Sequence, residues 1–356
     1  MNWIPEPYRQ NIPGFDYDLE AMRKKYIGME TTPVQGSYPV EYDAIRRHSH
    51  MTKDLNPLYL DPQYAAKSKY GAVIAPPPLV VYFAGRGNWP PRSEQEPALP
   101  PIPTPGQRPI AMAVETEWLK PVKVGDRLSS KARYADLYFL SIRLDWCAVW
   151  STTQSIITNQ QGETVAIITS LGLRHRQADQ VPEGQKGPPN VAPAAAPPMP
   201  QALGANRPPA SKARNVRLYW EDVKEGDSLP LLENTITETC VVEAVSGTQD
   251  FQPVHHDRAY AKSAGHPDIF VNNGFTRGWA ARVVTDWMGD EGWLRKLRVE
   301  MRRMNRPGDV MVCTGKVLRK YTEKGEHLVD CQVWIENARE GVATTCPAVV
   351  VLPTRS

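Results

Sequence analysis

The run Ser246-Gly247-Thr248-Gln249-Asp250-Phe251-Gln252-Pro253-Val254-His255-His256-Asp257 sets a carboxylate and an imidazole five residues apart across a Pro-containing turn. Neither belongs to a regular helix face, yet such a turn can bring both to one cavity. The pair suits a shared water better than a metal. A carboxylate and an imidazole that touch one water can divide the removal of its proton and the delivery of a proton to a substrate carbon. Asp257 reads differently: ahead of Arg258-Ala-Tyr-Ala-Lys-Ser it is a helix N-cap. That structural job leaves Asp250 and His255 unaccounted for.

The same frame occurs earlier in the chain. Asp54-Leu-Asn-Pro-Leu-Tyr-Leu-Asp61 matches Asp54 with Asp250, Asn56 with Gln252, Pro57 with Pro253 and Asp61 with Asp257, followed by Tyr64 with Tyr260 and Ala65 with Ala261. Tyr59 stands where His255 does, so the first copy keeps the turn and loses the imidazole. Pro121-Val-Lys-Val-Gly125-Asp126 is echoed by Pro307-Gly308-Asp309, and alternating strand-like sequence follows each. Strands spaced ten to fifteen residues apart with Gly-containing punctuation predict antiparallel sheet. One longer helix is expected ahead of the strands in each copy: residues 62–70 resuming at Leu79, and Arg258 to Ser263 resuming over Phe275 to Trp287. A strand-like start is expected at Pro39-Val-Glu-Tyr42 and a helix through Ile45-Arg-Arg-His-Ser-His50. Periodicity alone supports an α+β class.

The Asp250 segment resembles the signature of the MaoC-like, R-specific enoyl-CoA hydratases, roughly G-D-x-N-P-hydrophobic-H followed by x-D and a Tyr-Ala pair. Asp250, Pro253, Val254, His255, Asp257, Tyr260 and Ala261 fall on it. Gln252 replaces the usual Asn, and Thr248-Gln249 replaces a small residue and Gly. The resemblance, which spans about residue 30 to 352, implies a double hot-dog: two antiparallel sheets, each wrapped round a central helix. It divides the chain into an N-terminal hot-dog domain without a complete site (1–176), a Pro/Ala-rich linker (177–214) and a C-terminal MaoC-like domain (215–356). Asp250 and His255 are then the expected water-activating pair. Gly274 opens the later part of the central helix, where a free N–H at the positive end of the dipole can hold a thioester oxygen as charge develops. Asn273 stands where the family has His. In the first copy the matching stretch is Ile74-Ala-Pro-Pro-Pro78, and proline has no N–H to donate.

Composition bounds the partners. The 356 residues carry a net charge of +3, with 41% hydrophobic and 23% charged residues, a balance that suits a soluble globular protein and gives no argument for nucleic acid. Five scattered cysteines with no C-x-x-C pair indicate neither a disulfide framework nor a zinc site, so no metal is expected and a cytoplasmic compartment is the default. No export signal or membrane span is read, and His48 and His50 have no ligand cluster around them. His256, next to His255 in an extended segment, points the opposite way and reads as structural. The tryptophans read as core.

The N-terminal residues form a Pro-interrupted arm and a short helix over Tyr17 to Tyr26, expected to pack on the first domain. Residues 89–109 form a second Pro-rich run, either a lid over an acyl pocket or a surface loop. Arg295-Lys-Leu-Arg298-Val-Glu-Met-Arg302-Arg303 alternates like a strand with one basic face. That face is either solvated or a screen for coenzyme A phosphates. Gln252, Asn273, Arg298 and Arg302 are therefore the candidate substrate-binding residues. The expected activity is hydration of a trans-2-enoyl thioester or the reverse dehydration, with an acyl-CoA substrate, no cofactor, and a homodimer left open. Two alternatives stand beside it: a hydratase or dehydratase of a branched dicarboxylic acyl-CoA of mesaconyl or methylmalyl type, and a non-catalytic acyl-CoA-binding hot-dog subunit.

Overall fold

The computed structural model describes residues 9–12, 14–85, 97–142, 145, 147–177, 179–182, 199–211 and 214–355. The alternating segments form β1 (Val34–Gln35), β2 (Arg108–Trp118), β3 (Ser129–Phe139), β4 (Val149–Thr158) and β5 (Thr164–His175) in the first half. The second half supplies β6 (Leu232–Thr235), β7 (Trp293–Met301), β8 (Val310–Glu323), β9 (Glu326–Asn337) and β10 (Gly341–Val351). They pair in the order β1-β3-β4-β5-β2-β7-β10-β9-β8-β6. From either edge the order is the same, so the duplication seen around Asp54 and Asp250 extends to the topology. The two expected sheets are joined edge to edge into one ten-stranded antiparallel sheet. The seam is β2 against β7, with Val114 opposite Val299 and Thr116 opposite Leu297.

The helices repeat as well. The first half has α1 (Leu19–Tyr26), α2 (Tyr42–Thr52), α3 (Pro57–Leu60), α4 (Pro62–Lys67) and α5 (Val80–Phe83); the second has α6 (Glu238–Thr248), α7 (Arg258–Ser263) and α8 (Asn273–Met288). Both α2 and α6 have 11 residues and both end on a left-handed residue that is not glycine, Lys53 and Gln249, each with φ 53°. That conformation is uncommon for a residue with a side chain, and in each copy it turns the chain directly into the Asp of the repeated frame. The helix through Ile45 is α2. The strand start expected at Pro39–Tyr42 lies earlier, at Val34–Gln35, although Val40 still bonds Asp126 and Gly125 through its backbone.

As expected, the helix of each half comes in two parts, but in the first half α4 is followed only by a 3₁₀ turn at Pro77–Leu79 that runs into the four-residue α5. Pro76, Pro77 and Pro78 explain the break, because proline has no N–H for a helix interior and fits only its first turn. In the second half the resumption after α7 is the 16-residue α8. Phe275, Thr276, Trp279, Ala280, Val283 and Val284 of α8 are all buried, as expected of a helix that is apolar on nearly every side. It lies in a core that draws on both halves.

Two glycines set how deeply α8 sits. A Cβ at Gly274 would come 2.4 Å from Cγ2 of Thr248, and one at Gly278 would come 2.6 Å from Cγ2 of Thr52. The glycines are one turn apart on one face of α8, and the threonines hold matching positions at the ends of α6 and α2. Those two helices also touch each other, through His50 Nε2 and Glu243 at 3.1 Å and from Arg47 to the Ser246 carbonyl.

Leu19 of α1 is fully buried against Leu137 and Phe139, so the arm packs on the first half. Residues Pro100 and Pro103 of the second Pro-rich run accept hydrogen bonds from Tyr134 and Tyr17, which ties 97–105 to that same surface; residues 89–96 lie outside the described residues. The described flank of the linker is pinned too, with Leu203 N–H donating to Glu336 and Ser211 N–H to the Leu231 carbonyl. Among the described residues no helix is long and apolar enough to cross a membrane.

The first copy of the turn is sealed inside. Asp54 is 4% exposed, and its Oδ1 accepts the Asn56 N–H at 3.0 Å. The Tyr59 hydroxyl meets Thr285 of α8. Burial, and then the nearby charge of Asp286, push the Asp54 carboxyl from 3.8 up to about 6. Between those values the folded state holds a proton that the unfolded state releases, so this group lowers stability as pH rises through the window. Asp54→Asn keeps an acceptor oxygen and removes the charge. Relative to the parent it should gain on the order of 2–3 kcal/mol between about pH 4 and about pH 7. Denaturant midpoints of both proteins at the two pH values check this, and equal differences at both would contradict it.

Candidate active site

The second copy of the turn differs in exposure. After the left-handed Gln249, the Asp250 N–H donates to Thr248 Oγ1 at 3.3 Å, and its Oδ1 lies 3.4 Å from the Gln252 N–H. Pro253 then opens a 3₁₀ turn, Pro253–His255, that carries the imidazole inward. His255 is 8% exposed, and its Nδ1 is 2.9 Å from the Phe270 carbonyl. A carbonyl only accepts, so Nδ1 carries the proton. The ring also packs edge-on against Phe270, with centroids 4.8 Å apart. Nε2 is thereby directed at Asp250, 3.5 Å from Oδ2, at the limit of a hydrogen bond. His255 holds the Asp250 carboxyl below the usual carboxylate range, against the opposing effect of its partial burial. The side chain of Asp250 remains 32% exposed, so this pair faces an opening whereas Asp54 and Tyr59 do not.

The start of α8 adjoins the pair. Asn272 caps the helix, its Oδ1 accepting the Phe275 N–H at 2.9 Å, while its Nδ2 donates to Thr248 Oγ1 at 2.6 Å. Thr248 in turn donates to the Ala244 carbonyl at 2.6 Å. One hydroxyl thus ties Asp250, the end of α6 and the cap of α8 together. The cap takes the N–H of Phe275; those of Asn273 and Gly274, in the first turn, have no intrahelical acceptor.

A cavity of about 400 Å³ opens from this helix end. Asn273 is on its wall, together with Arg277 one turn on, Val81 and Ala84 of α5 and its flank, and Val114 and Val299 at the sheet seam. Asp250 and His255 are not in that wall. The cavity reaches the start of α8 at Asn273, which follows the cap residue Asn272 in sequence.

The remaining expected site residues are distributed differently. Gln252 is exposed beside the pair and touches Asp250 through its backbone. His256 is exposed with Nε2 on the Phe251 carbonyl, in keeping with its structural reading. Arg298 and Arg302 are not brought to the cavity. Val299 lines it, so its strand neighbour Arg298 points to the other face. There Arg298 pairs with Glu300 at 2.8 Å, and Arg302 lies 3.5 Å from the same carboxylate. Sequence reading missed Thr248, Phe270, Asn272 and Arg277. Asn272 carried a cap signal ahead of an apolar run, and Arg277 was one of three charged residues in an otherwise largely apolar helix. Thr248 and Phe270 gave none, since both act through contacts made across the fold.

If the approach at Gly274 sets the site, Gly274→Ala should destabilise the protein by on the order of 1–3 kcal/mol through overpacking. Thr248→Ser removes the clashing Cγ2 and keeps the hydroxyl. Added to Gly274→Ala, it should restore more than half of the lost thermal midpoint; strict additivity of the two changes would refute the contact.

Residues 25–168 match the family model of the FAS1-like, dehydratase domain region. The chain is 38% identical over 76 residues to the 3-oxo-4,17-pregnadiene-20-carboxyl-CoA hydratase beta subunit of Mycobacterium tuberculosis, a match that covers 21% of this chain and 59% of that protein's length. Among solved structures, a MaoC-like dehydratase superposes with a TM-score of 0.65 at 17% identity, covering 94% of this chain and 100% of that one. A MaoC domain protein dehydratase from Chloroflexus aurantiacus J-10-fl gives 0.61 at 14% identity, covering 92% and 96%. The repeated sheet, the single intact central helix and these superpositions give the chain the double hot-dog fold of the MaoC-like dehydratases.

Proposed function

We propose that the protein hydrates a trans-2-enoyl-CoA to a 3-hydroxyacyl-CoA, or catalyses the reverse dehydration, with one site per chain in residues 215–356. Residues 1–176 would serve as scaffold and acyl wall, joined by the 177–214 linker. The observation that carries this reading is the Asp250–His255 pair: an imidazole whose Nδ1 proton is committed to Phe270, leaving Nε2 and a half-exposed carboxylate side by side. A water held between them loses one proton to the pair as its oxygen bonds to C3, and the pair returns a proton to C2. The thioester carbonyl gains charge in the course of this step. The first-turn N–H of Gly274, at the positive end of the α8 dipole, is the donor assigned to it. Hydration leaves the overall oxidation level unchanged, so the proposal calls for neither a redox cofactor nor a metal.

The sealed first copy supports a single site. Tyr59 offers no basic nitrogen, and Asp54 is fully enclosed. The 38% identity to a CoA-ester hydratase subunit over 76 residues supports a CoA thioester as substrate class.

The test is a mutational cycle followed by loss of enoyl-thioester absorbance. Asp250→Asn, which keeps shape and removes charge, and His255→Ala should each lower kcat by about 10²–10⁴. The double variant should be hardly slower than the worse single one, because both groups act on one water. A folded Asp250→Asn or His255→Ala enzyme within about tenfold of the parent would remove the pair from the chemistry.

A further inference from the structure

The wall of the cavity contains a buried cation, Arg277, that has no anion among the described residues. Arg277 lies three residues beyond Gly274, roughly 4.5 Å along the axis of α8. Its Nε is buried without a hydrogen-bond acceptor, and no carboxylate pairs with it among the described residues. By contrast, Arg282, five residues further on, has both Asp286 and the Thr52 carbonyl. An unpaired guanidinium in a low-dielectric site is costly, and it is retained here at the side of an open cavity. The nearest titratable group acting on it is His48, which burial, and then Arg277 itself, push down to about 3, so that it is neutral.

The sheet side of the cavity is also unusually polar. Val299, Val114 and Ser170 stand in one cross-strand row over β7, β2 and β5. Ser155 faces Ile168 in the next row, and Ser130 faces Ile157 beyond it. The inward face of a sheet in a core ordinarily carries apolar residues at such positions. Three hydroxyls and a guanidinium around one space offer donors to an oxygen-rich group, and a carboxylate fits a guanidinium in two parallel hydrogen bonds.

We infer that Arg277 is the specificity-determining residue of the acyl pocket, and that the acyl group it accepts carries a carboxylate at its far end. This rests on the hydratase reading, because the thioester is assumed to lie at Gly274. From there a chain of about six carbons brings a terminal carboxylate within reach of a guanidinium one turn on.

The experiment compares trans-2-hexenedioyl-CoA with trans-2-hexenoyl-CoA as substrates. Binding of the saturated analogues, adipoyl-CoA and hexanoyl-CoA, is measured by calorimetry on the full chain. The parent should favour the carboxylate-bearing member of each pair by about 100-fold, the scale of a buried charged pair. Arg277→Met, close in volume and free of charge, should fold with a thermal midpoint no lower than the parent and should abolish the preference in binding and in kcat/KM alike. Arg277→Lys should retain part of it. Equal binding of the two saturated thioesters by the parent, or a preference that survives Arg277→Met, overturns the inference. The two readings fail separately. Preferential adipoyl-CoA binding without hydration of either substrate leaves Arg277 in place and removes the hydratase activity. Hydration of hexenoyl-CoA with no gain from the carboxylate does the reverse.

Discussion

The close approach of α8 to the ends of α6 and α2 is the contact on which the rest of the molecule depends. Gly274 against Thr248 and Gly278 against Thr52 leave no room for a methyl group, and each threonine is the residue before the left-handed turn that leads into an Asp of the repeated frame. The depth of one helix therefore sets the position of both turns. Thr248 adds direction to distance. Its hydroxyl receives both the Asp250 N–H and the Asn272 side chain, so the carboxylate and the helix end are positioned by a single side chain.

Symmetric scaffolding here produces two unlike environments. Asp54 and Asp250 occupy equivalent turns, yet one carboxyl is raised by burial and the other lowered beside an imidazole. The difference follows from what covers each turn. Asp286 and Arg282 of α8 act on Asp54, Thr285 acts on Tyr59, and Arg282 bonds the Thr52 carbonyl. The start of α8 is tied to Asp250 through Thr248, and among the described residues the first half has only the one-turn α5 after the prolines at 76–78. The cavity occupies the volume between the short helix and the joined sheet, so that the half without a complete pair supplies most of its wall.

The sequence by itself determined the duplication, the α+β class, the double hot-dog architecture through its resemblance, and the Asp250/His255 turn. These are properties of local pattern: a Pro-containing turn between two polar groups, strands of alternating polarity, and a helix cap at Asp257 all report on a few adjacent residues. It also showed that Tyr59 replaces an imidazole, since that is a matter of identity alone. Tertiary structure decided what depends on residues far apart in the chain. The merging of two sheets required the β2–β7 seam, whose residues lie in different halves. The basic run of β7 was legible as a strand with one basic face, but only pairing and facing showed that Arg298 turns away from the cavity while Val299 lines it. That Arg277 meets no carboxylate among the described residues was equally invisible, because whether a charge is satisfied depends on every element packed around it. A sequence pattern specifies which groups are offered, and burial and packing decide which of them meet.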